Sequence, residues 1–283
     1  MINNFIQQTI NLIEQSDFRL NFPEVLDTEL EENGTKKISI EFIDRFGANI
    51  DIQNNFLLIS SISFLLIDTY LDTIYEDLEG KSFKQRYEAI EENSDLNIML
   101  KETYRVLKLI RNTTIHSKSA INIVDDSYII GYRFRDTDFH LTISKKSFEN
   151  LISLVLFIIK IETNTNEYIV SLLRTYYKDI VLDISINDEF SDSLSQVASN
   201  KLLKTMRRYR VINPTYNINN NILKIKPMDI WEQEKDFSGI DYVVKINNEK
   251  YLIPNEILIN NKIAITDLED WLYFDLKSIR DNN

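Results

Sequence analysis

The segment LIRNTTIHSK, residues 109–118, holds the side chains best suited to chemistry. His116 is one of two histidines in the 283-residue chain, and it follows Arg111 by five positions and Asn112 by four. Histidine can move protons near neutral pH, and arginine offers a planar set of N–H donors that suits phosphate oxygens. These residue types together indicate cleavage of a phosphodiester bond.

The simplest such reaction uses the 2′-hydroxyl of RNA as the nucleophile. The chain contains no cysteine and only two histidines, so the sequence offers no obvious metal site, and we expect neither a metal nor another cofactor. In this hypothesis His116 moves a proton while Arg111 stabilises the charge on the phosphate.

The spacing of the three residues raises a geometric problem. A helical pattern begins near residue 95 and runs into the segment, and successive residues of a helix turn by about 100°. Asn112 and His116 therefore share a face, whereas Arg111 lies about 140° away from His116. Arg111 and His116 can meet if the arginine bends back, if the helix distorts, or if a second chain supplies one of them.

The charge distribution singles out the same region. The chain has a net charge of −12, which argues against broad electrostatic attachment to nucleic acid. Residues 101–120 nevertheless carry five basic side chains and one acidic one. We predict that four of these basic residues bind RNA, namely Lys101, Arg105, Lys108 and Lys118. The alternative is an ordinary solvated helix face.

These residues resemble the motif of the HEPN superfamily. Its ribonuclease members carry arginine, then a polar residue that is often asparagine, then histidine, as R-x(4–6)-H, and Arg111, Asn112 and His116 match this pattern. The segments GKSFKQRYEAI (80–90) and LKETYRVLKLIRNTTIH (100–116) are also similar to family helices. The resemblance covers about residues 50–165. Lys118 stands where some HEPN toxins carry a tyrosine.

The resemblance implies a function and its partners. It implies a metal-independent endoribonuclease that leaves 2′,3′-cyclic phosphate ends and acts in bacterial antiviral defence, abortive infection or a toxin system. It also implies RNA as substrate, a homodimer that brings two motifs into one cleft, and an antitoxin or defence-system partner. The alternative is a non-catalytic HEPN-like module that binds RNA or protein and dimerises. A third hypothesis is a purely structural or interaction protein.

A second pair of residues matches the motif. Arg135 and His140, in RDTDFH, have the same spacing. They lie in an alternating stretch that predicts a hairpin, and the charges of Asp136 and Asp138 would repel phosphate. We therefore expect the catalytic site at residues 111–116.

The periodicity of the chain predicts a mainly α fold. We expect a HEPN-like helical domain over residues 1–183, with its core at about 50–182 and a short β-hairpin insertion at 127–144. A smaller C-terminal α+β domain of unassigned role would cover 184–283. Its elements include a helix near 192–208, hairpins about two Asn-Asn turns and a final helix with Trp271.

Other segments complete this prediction. We expect a charged loop at 23–37 and a long buried helix at 53–79. The two longest apolar runs are shorter than the roughly 20 residues of a membrane span, so we expect a cytoplasmic protein without membrane attachment.

Two further charged clusters leave alternatives open. One cluster recurs at helical spacing and comprises Asp68, Asp72 and Glu76. These residues would bind a metal, pair with the active-site arginine or form an ordinary solvated helix face. A basic cluster in KLLKTMRRYR (201–210) would hold an RNA backbone or complement a helix C-terminus.

Overall fold

The computed structural model describes residues 2–30, 36–39, 52–116, 120–134, 136–161, 166–198, 201–230, 233 and 235–275. Of these residues 45% are helical and 27% lie in strands, and the strands form three sheets. The predicted mainly α class is therefore wrong, and the chain has an α/β fold. The prediction failed because it assigned residues 24–30 to a loop and extended a helix to about residue 208, and because it treated the hairpin at 127–144 and the C-terminal strands as minor parts of a helical protein.

The helices follow the order α1 (Ile2–Glu14), α2 (Phe56–Ile74), α3 (Phe83–Ala89), α4 (Asp95–His116), α5 (Lys145–Ile161) and α6 (Glu167–Asp183). The strands are β1 (Glu24–Leu30), β2 (Lys36–Ser39), β3 (Ile121–Val124), β4 (Ser127–Phe134), β5 (Thr137–Ser144), β6 (Ser185–Asn187), β7 (Arg207–Val211), β8 (Tyr216–Asn219), β9 (Ile222–Ile225), β10 (Ser238–Ile246), β11 (Glu249–Pro254) and β12 (Lys262–Ala264).

The chain divides into two compact units that interleave along the sequence. Unit 1 comprises Met1–Asn21, Arg45–Glu162 and Tyr176–Ala198, and unit 2 comprises Phe22–Asp44, Thr163–Thr175 and Ser199–Asn283. The predicted domains, 1–183 and 184–283, were each continuous. The difference arises because β1, from the N-terminal part of the chain, pairs with β7 of the C-terminal part.

Unit 1 is built around α4, which packs against α2 and α5. The helix begins where the Ser94 hydroxyl accepts a hydrogen bond from the Asn97 backbone N–H at 3.2 Å, with Asp95 in its first turn. Both features stabilise a helix N-terminus. Its core positions, including Leu107 and Ile110, are fully buried. This burial fixes the orientation of the helix and of the polar side chains in its last turns.

A four-stranded antiparallel sheet accompanies these helices in the order β3-β4-β5-β6. Strands β4 and β5 pair from Ser127 with Ser144 to Phe134 with Thr137. The hairpin predicted at 127–144 is thus confirmed, although it belongs to a larger sheet than a simple insertion.

Helix α2 is less buried than its composition predicted. The Asn55 side chain caps its start by accepting a hydrogen bond from the Leu58 N–H at 3.1 Å, and Leu66 is fully buried. Leu58 and Leu65 are nevertheless 40% and 50% exposed. Within the described part of the chain, α2 is the one helix whose length and composition would allow it to cross a membrane, and 33% of that stretch is buried.

Unit 2 contains a five-stranded sheet in the order β11-β10-β7-β1-β2 and a three-stranded sheet in the order β12-β9-β8. In the larger sheet β7 pairs in parallel with both β1 and β10. Three predictions are corrected here. Residues 24–30 form a strand rather than part of a loop. The helix predicted near 192–208 is not seen in the described residues 192–198 and 201–206, and β7 begins at Arg207. The predicted final helix is a 3₁₀ helix, Ile265–Trp271.

The two predicted Asn-Asn turns are confirmed. Asn247 and Asn248 have φ values of 50° and 70° between β10 and β11, and Asn260 and Asn261 have values of 53° and 60° before β12. Asparagine tolerates this left-handed region better than most residues. The first turn forms the predicted hairpin between β10 and β11. At the second turn the predicted hairpin does not form, because only an isolated bridge joins Ile259 and Lys262 and β12 pairs with β9 instead.

The basic cluster at 201–210 contributes a buried ion-pair centre to unit 2. Arg208 is fully buried, and its guanidinium donates to both carboxylate oxygens of Asp241, to both of Glu256, and to the Lys204 carbonyl at 3.1 Å. The Tyr168 hydroxyl donates to Asp241 at 2.6 Å. All the N–H donors of Arg208 are thus engaged, which favours a structural role over RNA binding.

Arg207 and Arg210 are also paired within the chain. Arg207 contacts Glu24 at 2.7 Å, and Arg210 contacts Asp27 and, at 2.7 Å, Asp275. The acidic partners therefore neutralise a strand that looks strongly basic in sequence.

We expect Gly239→Ala to destabilise unit 2. A Cβ at position 239 would overlap Nη1 and Cζ of Arg208 and would lie 2.6 Å from Glu256 Oε1. The partners of Arg208 enclose its guanidinium, so it cannot move aside without losing ion pairs. Overpacking of this kind lowers the free energy of unfolding by about 1–3 kcal/mol. Urea unfolding followed by circular dichroism measures the effect.

Gly131→Ala is the matched control. Gly131 also lies in a strand, but nothing stands within 4 Å of its added Cβ. Equal stability of the two variants would contradict a close approach between Gly239 and Arg208.

Candidate active site

The motif lies at the end of α4. The helix runs without interruption from Asp95 to His116, so Arg111 and His116 leave its axis about 140° apart. A distortion of the helix therefore does not bring them together. The side chain of His116 and the whole of Lys118 lie outside the part of the chain that the structure describes.

Arg111 and Asn112 are brought together at the half-buried surface of α4. Nη1 of Arg111 donates a hydrogen bond to Oδ1 of Asn112 at 3.2 Å. The guanidinium carbon lies 5.7 Å from the centre of the Phe64 ring, a distance at which a cation and an aromatic face attract each other. The aromatic ring and the amide thus hold the guanidinium without neutralising its charge.

Arg105, predicted to bind RNA, is buried instead. Its guanidinium donates to both carboxylate oxygens of Asp188 at 2.8 Å, to Glu102 at 3.0 Å, and to the carbonyls of Ser191 and Ser193 at 2.7 and 2.9 Å. Hydrogen bonds and the charge of Asp188 raise the pKa of Arg105 even though burial opposes the charge. Every N–H donor has a partner, so none is left for phosphate.

Lys101 and Lys108 are also paired with carboxylates. Lys101 Nζ lies 3.0 Å from Glu92, and Lys108 Nζ contacts Glu189. Because Lys101, Arg105 and Lys108 already have anionic partners, their positions do not support the predicted contacts to RNA. Lysine and arginine occur at four positions of α4, and among the residues that the structure describes Arg111 is the one of the four with no carboxylate at ion-pair distance.

Tyr132, on β4, is a site residue that sequence reasoning missed. The side chains of Asn112 and Thr113 lie close enough to its hydroxyl to lower its pKa, against the effect of burial. Burial raises the pKa of Tyr132 to about 12, and the charge of Glu189 adds to the shift. The alternating pattern of the hairpin placed Tyr132 on one face of the sheet, but nothing in the sequence indicated that this face meets the end of α4.

The structure describes only the histidine of the second motif match. Arg135 lies outside the described residues. His140 is exposed on β5, where Nε2 lies 3.2 Å from the Thr142 hydroxyl. Its neighbour Phe139 is buried and stacks on Tyr132, so His140 points to the opposite face of the sheet, since successive side chains alternate along a strand.

The acidic residues on α2 form ion pairs and hydrogen bonds with other side chains of unit 1. Asp68 accepts from Arg86 at 3.1 Å and from the Tyr104 hydroxyl at 2.5 Å, and Asp72 pairs with Arg86 at 2.8 Å. The side chain of Glu76 is outside the described part. Among the residues that the structure describes, no three His, Asp or Glu side chains are placed to hold a metal ion.

No family model, curated protein or solved structure matches this chain. The function is therefore argued from the chemistry of the residues around Arg111.

Proposed function

We propose that the protein is a metal-independent endoribonuclease of HEPN type that acts in the cytoplasm in bacterial defence or a toxin system. The supporting observation is the state of Arg111. It lies half-buried beside Asn112 with no carboxylate partner among the described residues, whereas Lys101, Arg105 and Lys108 are neutralised. A guanidinium in this state is suited to bind a phosphate with two parallel hydrogen bonds.

The proposed reaction divides the work among three residues. His116 removes the proton of the 2′-hydroxyl, whose oxygen forms a bond to phosphorus while the bond from phosphorus to the 5′-oxygen breaks. The leaving oxygen takes a proton from water and His116 returns its proton to the solvent, so that the products are a 2′,3′-cyclic phosphate and a 5′-hydroxyl. Arg111 stabilises the negative charge on the phosphate oxygens, and Asn112 orients Arg111.

A second copy of the chain completes this site. Within one straight helix, Arg111 and His116 point about 140° apart, so we propose that Arg111 of one copy and His116 of the other act on the same phosphate. A symmetric dimer would then contain two such sites.

In the first experiment, the purified protein is incubated with a mixed RNA pool in EDTA. We expect cleavage that leaves 2′,3′-cyclic phosphate ends. Retarded migration of RNA without cleavage would instead indicate a non-catalytic binding module, and no effect on RNA would indicate an interaction protein.

The shared site has a sharper test. Arg111→Ala and His116→Ala chains carrying different tags are co-expressed, and the heterodimer is purified through both tags. One of its two sites then keeps both residues, so we expect about half of the wild-type cleavage rate per dimer. If the heterodimer is as inactive as each parent while the wild type cleaves RNA, both residues act from the same chain.

A further inference from the structure

We infer that β3 is the surface on which a second copy of this chain docks, strand against strand. The inference rests on the proposed function and deepens it, because it names the interface of the dimer that the site requires. β3 is an edge of the four-stranded sheet, and it begins five residues after His116. Five residues span at most about 18 Å, so a chain bound at β3 lies close to the end of α4.

β3 lacks the features that protect the edges of sheets. Edge strands commonly carry charged residues or proline, which hinder pairing with another chain. The outer strands of the five-stranded sheet, β2 and β11, have such residues in their sequences KKIS and EKYLIP. β3 has the sequence INIV, without a charge or a proline. Its residues Ile123 and Val124 are 69% and 48% exposed.

Ile123 continues an apolar row of the core. It is paired with Tyr128, which is paired in turn with Ile143, and residues directly opposite each other share one face of a sheet. Tyr128 and Ile143 are buried, so this face packs against the core. The row therefore ends in an exposed isoleucine on β3, and a strand added there would cover it.

The backbone of β3 also offers donors and acceptors on its outer side. The two-residue turn after Val124 has φ values of 45° and 60°, and a turn of this kind joins Val124 to Ser127 by a hydrogen bond. Because hydrogen-bonded pairs alternate along an antiparallel ladder, Ile121 and Ile123 direct their N–H and C=O groups away from β4. Within the described part of the chain, no strand pairs with this side.

The strand is complementary to itself. If two β3 strands pair antiparallel with Asn122 on the two-fold axis, Ile121 of each copy lies opposite Ile123 of the other. The outward N–H and C=O groups of the isoleucines then bond to each other, and their side chains cover each other. The two Asn122 amides meet on the opposite face. Because no like charges oppose each other and the contact joins identical surfaces, it favours a second copy and closes into a dimer.

Self-association of the purified protein gives the first test. By sedimentation velocity we expect a dimer at micromolar concentration. Ile123→Lys should weaken self-association about 100-fold, because the lost apolar contact and the added like charge each count twice in a symmetric dimer. Ile218→Lys is the matched control, since Ile218 is 42% exposed on β8, another uncharged edge strand. A monomeric wild type, or equal effects of the two substitutions, would overturn the inference.

A disulfide provides a second test that leaves the apolar contact intact. The chain contains no cysteine, so Asn122→Cys introduces a single thiol. The Cα atoms of a pair on this axis lie about 4.5 Å apart, within the range that a disulfide spans. With oxidised glutathione, we expect Asn122→Cys to form a covalent dimer on a non-reducing gel and Asn217→Cys, on β8, to stay unlinked. Equal linkage at both positions, or none at position 122, contradicts the pairing.

RNA cleavage separates this inference from the proposed function. We expect Ile123→Lys to lose cleavage together with the dimer. A protein that forms the disulfide at position 122 but does not cleave RNA would retain the pairing and reject the ribonuclease function. A wild-type dimer that cleaves RNA and persists in Ile123→Lys would overturn the pairing and retain the ribonuclease function.

Discussion

Replacing His116 with alanine is expected to lower RNA cleavage by about 10²–10⁴-fold, the usual contribution of a group that moves a proton in the transition state. Arg111→Ala should have an effect of similar size, because the developing charge on the phosphate would lose its partner. The double variant should be little worse than either single one, since residues that act in one step are strongly non-additive. Single-turnover assays at saturating RNA measure these losses.

Two control variants make this result specific. His140→Ala should leave cleavage nearly intact, because His140 is exposed on the opposite face of the sheet from Phe139. Arg111→Lys keeps the charge but loses the planar set of donors, and we expect it to recover only part of the activity. Each variant must first show wild-type melting and self-association. If His140→Ala abolishes cleavage and His116→Ala does not, the site lies at RDTDFH instead.

Arg105→Ala is expected to lower the free energy of unfolding by about 3–5 kcal/mol, because it leaves Asp188 and Glu102 as buried charges without their partner. Both carboxylates are almost fully buried, and Glu102 also accepts hydrogen bonds from the Tyr87 and Ser195 hydroxyls. Urea unfolding followed by circular dichroism measures the change.

Arg133→Ala is the matched control, because Arg133 and Asp138 form an ion pair with both side chains exposed. Such a pair contributes about 0–1 kcal/mol. Wild-type stability of Arg105→Ala together with a loss of RNA binding would contradict the structural role and restore the contact to RNA that the sequence predicted.

The sequence by itself determined the local elements. The periodicity of residues 95–116 predicted a helix that ends in the motif, and the alternation at 127–144 predicted the hairpin between β4 and β5. The turns at Asn247–Asn248 and Asn260–Asn261 were predictable because left-handed backbone is a property of the residue type. These features depend on neighbours within a few positions.

The fold class depended on contacts that the sequence pattern does not show. β7, with the sequence RRYRV, has too many charges to resemble a buried strand, and it is stable there because Arg207 and Arg210 meet Glu24 and Asp27, each 183 positions away. β1 is likewise charged and looked like a loop. Partners at such separations neutralise the charges only after folding, so local periodicity predicted helix and loop instead of strands.

The candidate site also combines features that the sequence determined with features that only the tertiary structure decided. Residue types and spacing were enough to propose Arg111, Asn112 and His116, since their chemistry does not depend on the fold. Which cations of the basic segment keep a free charge was decided by tertiary structure, because Asp188, the partner of Arg105, lies 83 positions along the chain. The sheet of unit 1 likewise brings β4, with Tyr132, against α4, and contacts that form only in the folded chain leave no periodic signal in the sequence.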